Sequence, residues 1–328
     1  MLFDSYHRRL NYLRLSLTDR CNLRCMYCMP EGGIPKFSHD EILSYEELLR
    51  LARLSVKLGI EKIRLTGGEP LVRKGVIPFM ARLKQIPGLK DISLTTNGVL
   101  LTERIEALWE AGIRRINISL DTLIREKFER ITRVDHFNRV WEGIERAKKI
   151  GFEPIKINVV AMRGINDDEI LSFGRLSREE PFHIRFIEYM PIGLENNWKE
   201  ERFLSADEIQ RRLESLGPLH PVNGSGLDGP ARRMAYAGAK GEIGLISPIS
   251  DHFCPACNRL RLTAEGRLRV CIFSDKETDL RLLLRQGASD SELEEAIQAA
   301  IAQKPRQPAF SSNPIPRKCQ RPMVKIGG

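Results

Sequence analysis

Residues 12–28, YLRLSLTDRCNLRCMYC, join a strand pattern to three closely spaced cysteines. Apolar and polar side chains alternate over residues 12–18, which is typical of a β-strand whose two faces differ. The cysteines that follow are Cys21, Cys25 and Cys28. Their spacing indicates a metal site, but iron–sulfur clusters and structural zinc usually take four protein ligands. The sequence therefore raises the question of what supplies the fourth ligand.

The same strand pattern recurs along the first part of the chain, and helical patterns separate its repeats. The predicted strands cover residues 12–18, 62–68, 91–98, 114–121, 154–162 and 183–191. The helical patterns include residues 44–59, with Ser44 as the N-cap, and residues 139–151, which end at Gly151. Six strand–helix units predict a parallel α/β sheet, either an incomplete (β/α)6 TIM-like barrel or a doubly wound sheet.

One face of each predicted strand is polar, and this polar face helps to choose between the two possible folds. The polar positions include Arg14, Ser16, Arg64, Thr66, Thr95, Ser119, Asp121, Lys156, Asn158 and Arg185. Helices that follow each strand should cover the apolar face, so the polar face points into a shared interior. An ordinary eight-stranded barrel fills its interior with bulky side chains. The pattern therefore favours the incomplete barrel, with an open interior that binds a polar ligand.

The regular pattern ends near residue 191, and a different region follows. Residues 217–244 are rich in glycine, which predicts loops with short strands. The tail over residues 303–328 is rich in proline and is not expected to form a regular helix. We predict a barrel domain over residues 1–215 and a smaller C-terminal domain over residues 216–328.

Composition and charge exclude several classes of protein. The chain has 52 Lys+Arg against 43 Asp+Glu, a net charge of +9, which suits nucleic acid or a phosphorylated small molecule. Since no basic run with interleaved aromatic residues occurs, we expect no nucleic-acid partner. Apolar runs are shorter than a membrane span and no signal peptide is evident, so we expect a cytoplasmic protein without a membrane partner. Six of the seven cysteines form two compact groups, which indicates metal binding rather than disulfides.

The first cysteine group favours an iron–sulfur cluster over zinc. Zinc would need a further ligand, and His39 is the only histidine within reach downstream. A four-iron cluster held by three thiolates instead leaves one iron free to bind a small molecule.

The segment CNLRCMYC, with Tyr27 before its last cysteine, resembles the signature of radical S-adenosylmethionine (SAM) enzymes. The resemblance implies that SAM binds the open iron of a [4Fe–4S] cluster, so that the missing ligand is a cosubstrate. It also implies reductive cleavage of SAM to methionine and a 5′-deoxyadenosyl radical. The segment LTGGEPLVR at residues 65–73 agrees, because a GGEP segment contacts the SAM amino group in that family. The positions that match SAM-contacting residues are Tyr27, Gly68, Ser119 and Met190.

A second cysteine group lies in DHFCPACNRLRLTAEGRLRVCIF, residues 251–273. Its members are Cys254, Cys257 and Cys271. His252 could complete a Cys3His zinc site. Arg259 and Arg261 favour a substrate site instead, since arginine suits phosphate and the edge of guanine. The residues alone leave zinc and a second open cluster as alternatives.

The second cysteine group and RFIEYMPIG at residues 185–193 together resemble the GTP 3′,8-cyclase family, which begins molybdenum-cofactor biosynthesis. The resemblance extends over nearly the whole chain. It implies conversion of GTP to (8S)-3′,8-cyclo-7,8-dihydroguanosine 5′-triphosphate, and a second [4Fe–4S] cluster whose open iron binds the guanine base. The positions that match GTP-binding residues are Arg14, Arg64, Thr95, Lys156, Arg185, Arg259, Leu260 and Arg261.

The resemblance also implies partners and a role for the end of the chain. It implies an electron donor, a homodimer, and a downstream cyclic pyranopterin monophosphate synthase that takes the product. Gly327 and Gly328 match a double glycine that reaches into the active site in this family. Cys319 belongs to neither cysteine group; we interpret it as a free thiol without a role, with a fourth ligand of the second cluster as the alternative.

Two other functions compete with this interpretation. A radical SAM peptide maturase with an auxiliary cluster is the nearer one, although such enzymes usually carry a longer cysteine array in the second domain. A basic zinc module that binds nucleic acid is the non-enzymatic one.

Overall fold

The computed structural model describes residues 1–193, 198–224, 229–307 and 319–327. The strands are β1 (Tyr12–Ser16), β2 (Lys62–Thr66), β3 (Asp91–Thr96), β4 (Arg115–Ser119), β5 (Ile155–Ala161), β6 (Phe182–Glu188), β7 (Leu219–Pro221), β8 (Arg232–Tyr236), β9 (Glu242–Ile246), β10 (Arg259–Leu262), β11 (Arg267–Arg269) and β12 (Thr278–Asp279). The helices are α1 (Tyr45–Leu58), α2 (Val76–Lys84), α3 (Leu101–Glu110), α4 (Arg125–Thr132), α5 (Phe137–Ile150), α6 (Ile170–Glu179), α7 (Ala206–Glu214), α8 (Leu280–Arg285), α9 (Asp290–Ala302) and α10 (Met323–Ile326).

The six predicted strands are confirmed as β1 to β6, and they form the parallel centre of a twelve-stranded sheet. Each strand ends before its predicted last residue, because the chain there turns into the loops that surround the candidate site. The C-terminal region adds a parallel strand at each side of this centre. Strand β10 pairs with β1, and β9 pairs with β6. The α/β class and the incomplete (β/α)6 arrangement are thus confirmed.

The sheet does not close into a complete barrel. Its order runs from β12 through β11, β10 and β1–β6 to β9, β8 and β7. In the part of the chain that the structure describes, the two outermost strands, β12 and β7, do not pair with each other. The short strands predicted in the glycine-rich region are confirmed as β7, β8 and β9.

The two faces of the sheet differ as the alternation predicts. Apolar residues of one parity, such as Leu13, Ile63 and Ile116, belong to one core with the helices. Burying such side chains stabilises the fold by roughly 1.5–3 kcal/mol each. The other parity is polar, and strand register sets Arg14 beside Arg64 on one side and Arg261 on the other. The polar face therefore carries adjacent positive charges.

The predicted helix ends follow local chemistry. The Ser44 hydroxyl accepts a hydrogen bond from the Glu47 amide, and the Glu47 carboxylate accepts one from the Ser44 amide. This capping box fixes the start of α1. Gly151 caps the end of α5, as predicted.

The tail departs from the prediction that it contains no regular helix. The turn α10 begins directly after Pro322, which stands at its N-cap. Proline tolerates that position because it needs no amide hydrogen there, and no proline follows to interrupt the turn. Of the helices in the described ranges, none combines the length and the apolar character that a membrane crossing requires.

Candidate active site

A cavity of about 230 Å³ lies on the polar face, at the carboxyl ends of the central strands. Most of the residues predicted from sequence line it together. They are Arg14, Cys21, Cys25, Tyr27, Cys28, Arg64, Gly68, Thr95, Ser119, Arg185, Met190, Arg259 and Arg261. The structure thus brings the first cysteine group, the predicted SAM contacts and five arginines to one space. In a parallel sheet this end is where ligands usually bind.

Two of the predicted GTP-binding residues do not line this cavity. Leu260 belongs to the hydrophobic core and is 2% exposed, since it has the opposite strand parity to its arginine neighbours. Its side chain therefore cannot contact a ligand in the cavity, which leaves only its backbone for such a contact. Lys156 is buried below the lining residues of the described chain, among other cations.

The loop of the first cysteine group is held by backbone bonds to the rest of the barrel. The amide of Arg24 donates a hydrogen bond to Thr132 O, and the amide of Met26 donates one to Ile131 O, each with a donor–acceptor distance of 2.9 Å. The Tyr27 hydroxyl donates to the Asp121 carboxylate at 2.7 Å. These bonds fix the loop in position before any ligand binds.

The GGEP segment packs directly on the start of the cysteine loop. Gly68 N donates to Thr18 O at 2.7 Å, and Glu69 N donates to Arg20 O at 2.8 Å. A Cβ atom at Gly68 would lie 2.3 Å from Arg20 O, so only glycine fits this approach. The segment also holds the end of β3, because the Glu69 carboxylate accepts from Thr96 Oγ1 and Asn97 N.

The thiols of the first group are poor acids without a bound metal. Burial, with a smaller contribution from the nearby Glu69 carboxylate, raises the pKa of Cys21 to about 11. Burial also raises the pKa of Cys25, and the charge of Asp121 adds to this effect. Thiolates at such positions need a bound cation, which is what the iron of a cluster provides. The donor set therefore fits a cluster.

Positive charge is concentrated at the cavity and next to it. Burial lowers the pKa of Arg14 to about 10, with Arg64 and Arg259 adding repulsion. Burial likewise lowers the pKa of Lys156 to about 6, and the charge of Arg185 is the next largest cause. Like charges gathered in a buried space favour a polyanionic ligand such as a triphosphate.

Unsatisfied hydroxyls line the same face. The hydroxyl oxygens of Ser16, Thr66 and Thr95 are buried and have no hydrogen-bond partner among the described residues. Buried polar atoms normally have partners, so these groups suit a polar ligand.

The second cysteine group borders a smaller cavity of about 40 Å³. The residues that this cavity shares with the larger one are Pro248, Phe253, Arg259, Arg261 and Ile272. Burial opposes ionisation of Cys257, but the charges of Arg259 and Lys304 lower its pKa to about 6. His252, the alternative zinc ligand, also borders this cavity, and its Nδ1 lies 2.7 Å from Pro248 O.

The end of the chain enters the polar interior. Gly327 O accepts hydrogen bonds from Arg14 Nε at 3.3 Å and Arg261 Nη1 at 3.2 Å. Gly327 has a φ of +79°, and a Cβ atom there would lie 3.0 Å from Thr66 Oγ1. Both facts favour glycine. Gly328 lies outside the described residues.

Cys319 is 1% exposed and helps to dock the tail. It accepts a hydrogen bond at Sγ from Arg269 and donates one to Asp275, both at 3.3 Å. It is not among the described residues that border the second cysteine group's cavity. Two residues later, Arg321 pairs with Glu277 at 2.7 Å and with Glu265. These contacts give Cys319 a packing role that the sequence interpretation missed.

Other site residues were also missed. Asp121 holds Tyr27, and its pKa is raised to about 6 by burial. Asp121 follows β4 by two residues and continues the polar alternation of that strand. This pattern could have revealed it from the sequence. Phe253 borders both cavities and lies under the Arg259 guanidinium at 4.7 Å.

The fold and the three-cysteine loop define a radical SAM protein. The Radical SAM superfamily matches residues 15–176, and the family Molybdenum Cofactor Synthesis C matches residues 182–310. The superfamily implies a [4Fe–4S] cluster and SAM for this chain.

Relatives narrow the class. The chain is 52% identical over 327 residues to the GTP 3′,8-cyclase of Thermodesulfovibrio yellowstonii, with 99% of each chain covered. It is 48% identical over 325 residues to that of Moorella thermoacetica, again with 99% of each covered. The chain belongs to the GTP 3′,8-cyclase family. The crystal structure of Streptococcus suis SuiB bound to S-adenosylmethionine shares the fold, with a TM-score of 0.60, 15% identity, and coverage of 97% of this chain and 77% of that one.

Proposed function

We propose that this protein is a radical SAM lyase that converts GTP to (8S)-3′,8-cyclo-7,8-dihydroguanosine 5′-triphosphate, the first step of molybdenum-cofactor biosynthesis. One observation carries the proposal: a single cavity is lined both by the first cysteine group and by five arginines. A cosubstrate bound at the cysteines and a triphosphate bound at the arginines would meet in that cavity. The family's name supports the same substrate.

The first cysteine group would bind the cluster and SAM. Cys21, Cys25 and Cys28 supply three thiolates, and the cluster, when bound, delivers the electron that cleaves SAM. The residues proposed to orient SAM are Tyr27, Gly68, Ser119 and Met190. Gly68 can approach a ligand through its backbone, and Tyr27 is itself held by Asp121.

The basic side would hold GTP. The proposed contacts are Arg14, Arg64, Thr95, Arg185, Arg259, Arg261 and the backbone of Leu260, and Lys156 would add positive charge from behind the residues that line the cavity. Binding the triphosphate away from the reacting atoms fixes the ribose, so that its 3′ hydrogen faces the SAM side and C3′ faces C8 of guanine. The surrounding core excludes water from these atoms.

The second cysteine group would bind a second [4Fe–4S] cluster beside the base. Cys254, Cys257 and Cys271 leave one iron of such a cluster without a protein ligand, available to guanine. The shared wall of the two cavities supports this role.

The tail would complete the site. Gly327, with its carbonyl accepting from Arg14 and Arg261, would order two substrate-binding arginines. We therefore propose Gly327 and Gly328 as part of the catalytic machinery.

We further propose the remaining partners that the family suggests. They are an electron donor, a second copy of this chain in a homodimer, and a downstream cyclic pyranopterin monophosphate synthase. We propose a cytoplasmic location with no nucleic-acid or membrane partner. We also propose that the barrel domain covers residues 1–215 and that an iron–sulfur and substrate-binding domain covers residues 216–328, which begin just after α7.

The experiment is an anaerobic assay of the reconstituted protein with SAM, GTP and dithionite. We expect 5′-deoxyadenosine and cyclised GTP to form together, detected by mass spectrometry. Deuterium at the ribose 3′ position should appear in 5′-deoxyadenosine. If 5′-deoxyadenosine forms without cyclised GTP or deuterium transfer, the substrate is wrong. If neither product forms in protein that holds iron and sulfide, the radical SAM function is wrong.

A further inference from the structure

Two buried cations from distant parts of the chain contact the segments that carry the second cysteine group. Arg8 stands near the N-terminus and is 8% exposed, and Lys304 follows α9 and is 3% exposed. Neither belongs to a sequence motif, and the proposed reaction has so far used neither.

Lys304 joins the two stretches of chain on which Cys257 and Cys271 stand. Its Nζ donates to Cys257 Sγ at 3.6 Å, to Arg259 O at 3.0 Å and to Val270 O at 2.5 Å. An ammonium group has three donors and no acceptor, so these three contacts use its full capacity. The side chain therefore sets the spacing between the two cysteine segments and also touches a ligand sulfur.

Arg8 contacts the backbone of the remaining cysteine, Cys254. Its Nη1 donates to Cys254 O at 2.9 Å, and its Nη2 donates to Pro305 O at 2.7 Å. Asp4 holds the guanidinium from behind, because Arg8 Nε lies 2.6 Å from its carboxylate. Arg8 thus links Cys254 to the residue that follows Lys304.

The charge of these groups matters as well as their geometry. A [4Fe–4S] cluster held by three thiolates is negatively charged, and one-electron reduction makes it more so. Nearby positive charge and hydrogen bonds to sulfur raise the reduction potential of such clusters. Buried charges act more strongly than exposed ones because water screens them less.

We propose that Arg8 and Lys304 form a cationic cradle that positions the second cysteine group for its cluster and raises the reduction potential of that cluster. The inference rests on the proposed function, since it assumes that this group binds a cluster. Lys304 is a positioning residue: it acts on the substrate only through the cysteines.

The first test compares Lys304→Met with Lys276→Met in the full-length, reconstituted protein. Methionine keeps the unbranched apolar stem and removes the charge and all three donors. Lys276 is an exposed lysine in the loop after Cys271, so its replacement controls for charge alone. Iron and labile sulfide per chain are measured before and after anaerobic incubation with a chelator, with thermal unfolding of the apoprotein as the folding check.

We expect Lys304→Met to lose one cluster's worth of iron about 10- to 100-fold faster than wild type, because outer partners of metal ligands have effects of that size. Lys276→Met should behave like wild type. Equal retention in all three proteins would overturn the cradle. If wild type itself holds iron for one cluster only, the proposed second cluster is wrong, and this outcome is distinct from the first.

A second variant separates charge from hydrogen bonding and guards against misfolding. Lys304→Gln keeps two neutral donors on a similar stem. Its second cluster should be retained better than that of Lys304→Met but should have a lower reduction potential than wild type, measured by EPR-monitored titration. A wild-type potential in Lys304→Gln would contradict the electrostatic part of the proposal, whatever the fate of the methionine variant.

Discussion

The two cysteine groups have the same three thiols but opposite surroundings. Near the first group stand carboxylates: Asp121 raises the pKa of Cys25, and Glu69 raises that of Cys21. Around the second group stand cations, which lower the pKa of Cys257 to about 6 against the effect of burial. A motif search sees two similar sites, whereas the structure distinguishes them by charge.

The difference suits different tasks. A cluster among carboxylates is costly to reduce and is correspondingly a strong reductant once reduced, as cleavage of SAM requires. A cluster among cations is held more stably in its reduced, more negative form and has less tendency to pass the electron on. Such a cluster can bind a substrate base without transferring an electron to it.

The largest effect should come from breaking the first group. Cys25→Ala removes a cluster ligand and should reduce both 5′-deoxyadenosine and cyclised GTP to background, because no electron reaches SAM. Product analysis by mass spectrometry checks this. Formation of 5′-deoxyadenosine at the wild-type yield would contradict the assignment of this group.

Breaking the second group should separate the two products. Cys257→Ala should retain part of the SAM cleavage but lose cyclisation, because guanine loses its iron while the first cluster remains. The same assay, with iron content as control, measures both products. Full cyclisation by a variant that holds one cluster would make the second group structural only.

Removing the tail should lower cyclisation more than it lowers SAM cleavage. Deletion of Gly327 and Gly328 should lower cyclisation by about 100-fold, the scale of losing precise positioning, while some uncoupled SAM cleavage continues. Both clusters and GTP binding should remain, and a peptide with the native tail sequence should restore part of the activity. Cyclisation at the wild-type rate would show that the tail contributes nothing.

Removing one arginine should weaken the binding of one ligand, GTP. Arg259→Ala should reduce GTP affinity by roughly 1.5–3 kcal/mol, the usual value for a lost charged hydrogen bond, with SAM affinity unchanged. Calorimetry measures both, and the exposed Arg211→Ala is the matched control. A parallel loss of SAM affinity would indicate misfolding rather than a lost contact.

The smallest effect concerns stability and pH. The pKa of Lys156 is lowered from 10.5 to about 6 in the folded protein, so between these values the unfolded chain binds more protons. Stability of the ligand-free protein should therefore rise with pH through this window. Lys156→Met should flatten that slope and raise the free energy of unfolding at pH 7, whereas exposed Lys84→Met should leave both unchanged. Urea unfolding at several pH values checks this, and an unchanged slope would contradict the assigned pKa.

Much of the fold and the site follows from local sequence. The strand alternation predicts which face carries Arg14 and Arg64, because side chains on a strand point to opposite faces in turn. Cysteine spacing indicates two groups of candidate metal ligands, because the members of each group are close in sequence; that both groups bind metal stays a prediction.

Features that depend on distant partners do not follow from sequence. Nothing near Lys304 indicates that it contacts Cys257, and nothing near Tyr12 indicates that its strand pairs with the one at Arg259. Glutamate is usually exposed, yet Glu69 and Glu188 are both buried, and each accepts hydrogen bonds from backbone amides of neighbouring loops.

The pairing of β10 with β1 and of β9 with β6 has a consequence for synthesis. Both outer edges of the six-stranded centre stay bare until β9 and β10 have been synthesised. Bare strand edges pair readily with other chains, so a nascent or truncated centre is prone to aggregate. The same late strand brings Arg259 and Arg261 to the cavity. Protection of this sheet edge and assembly of the substrate pocket therefore depend on the same strand.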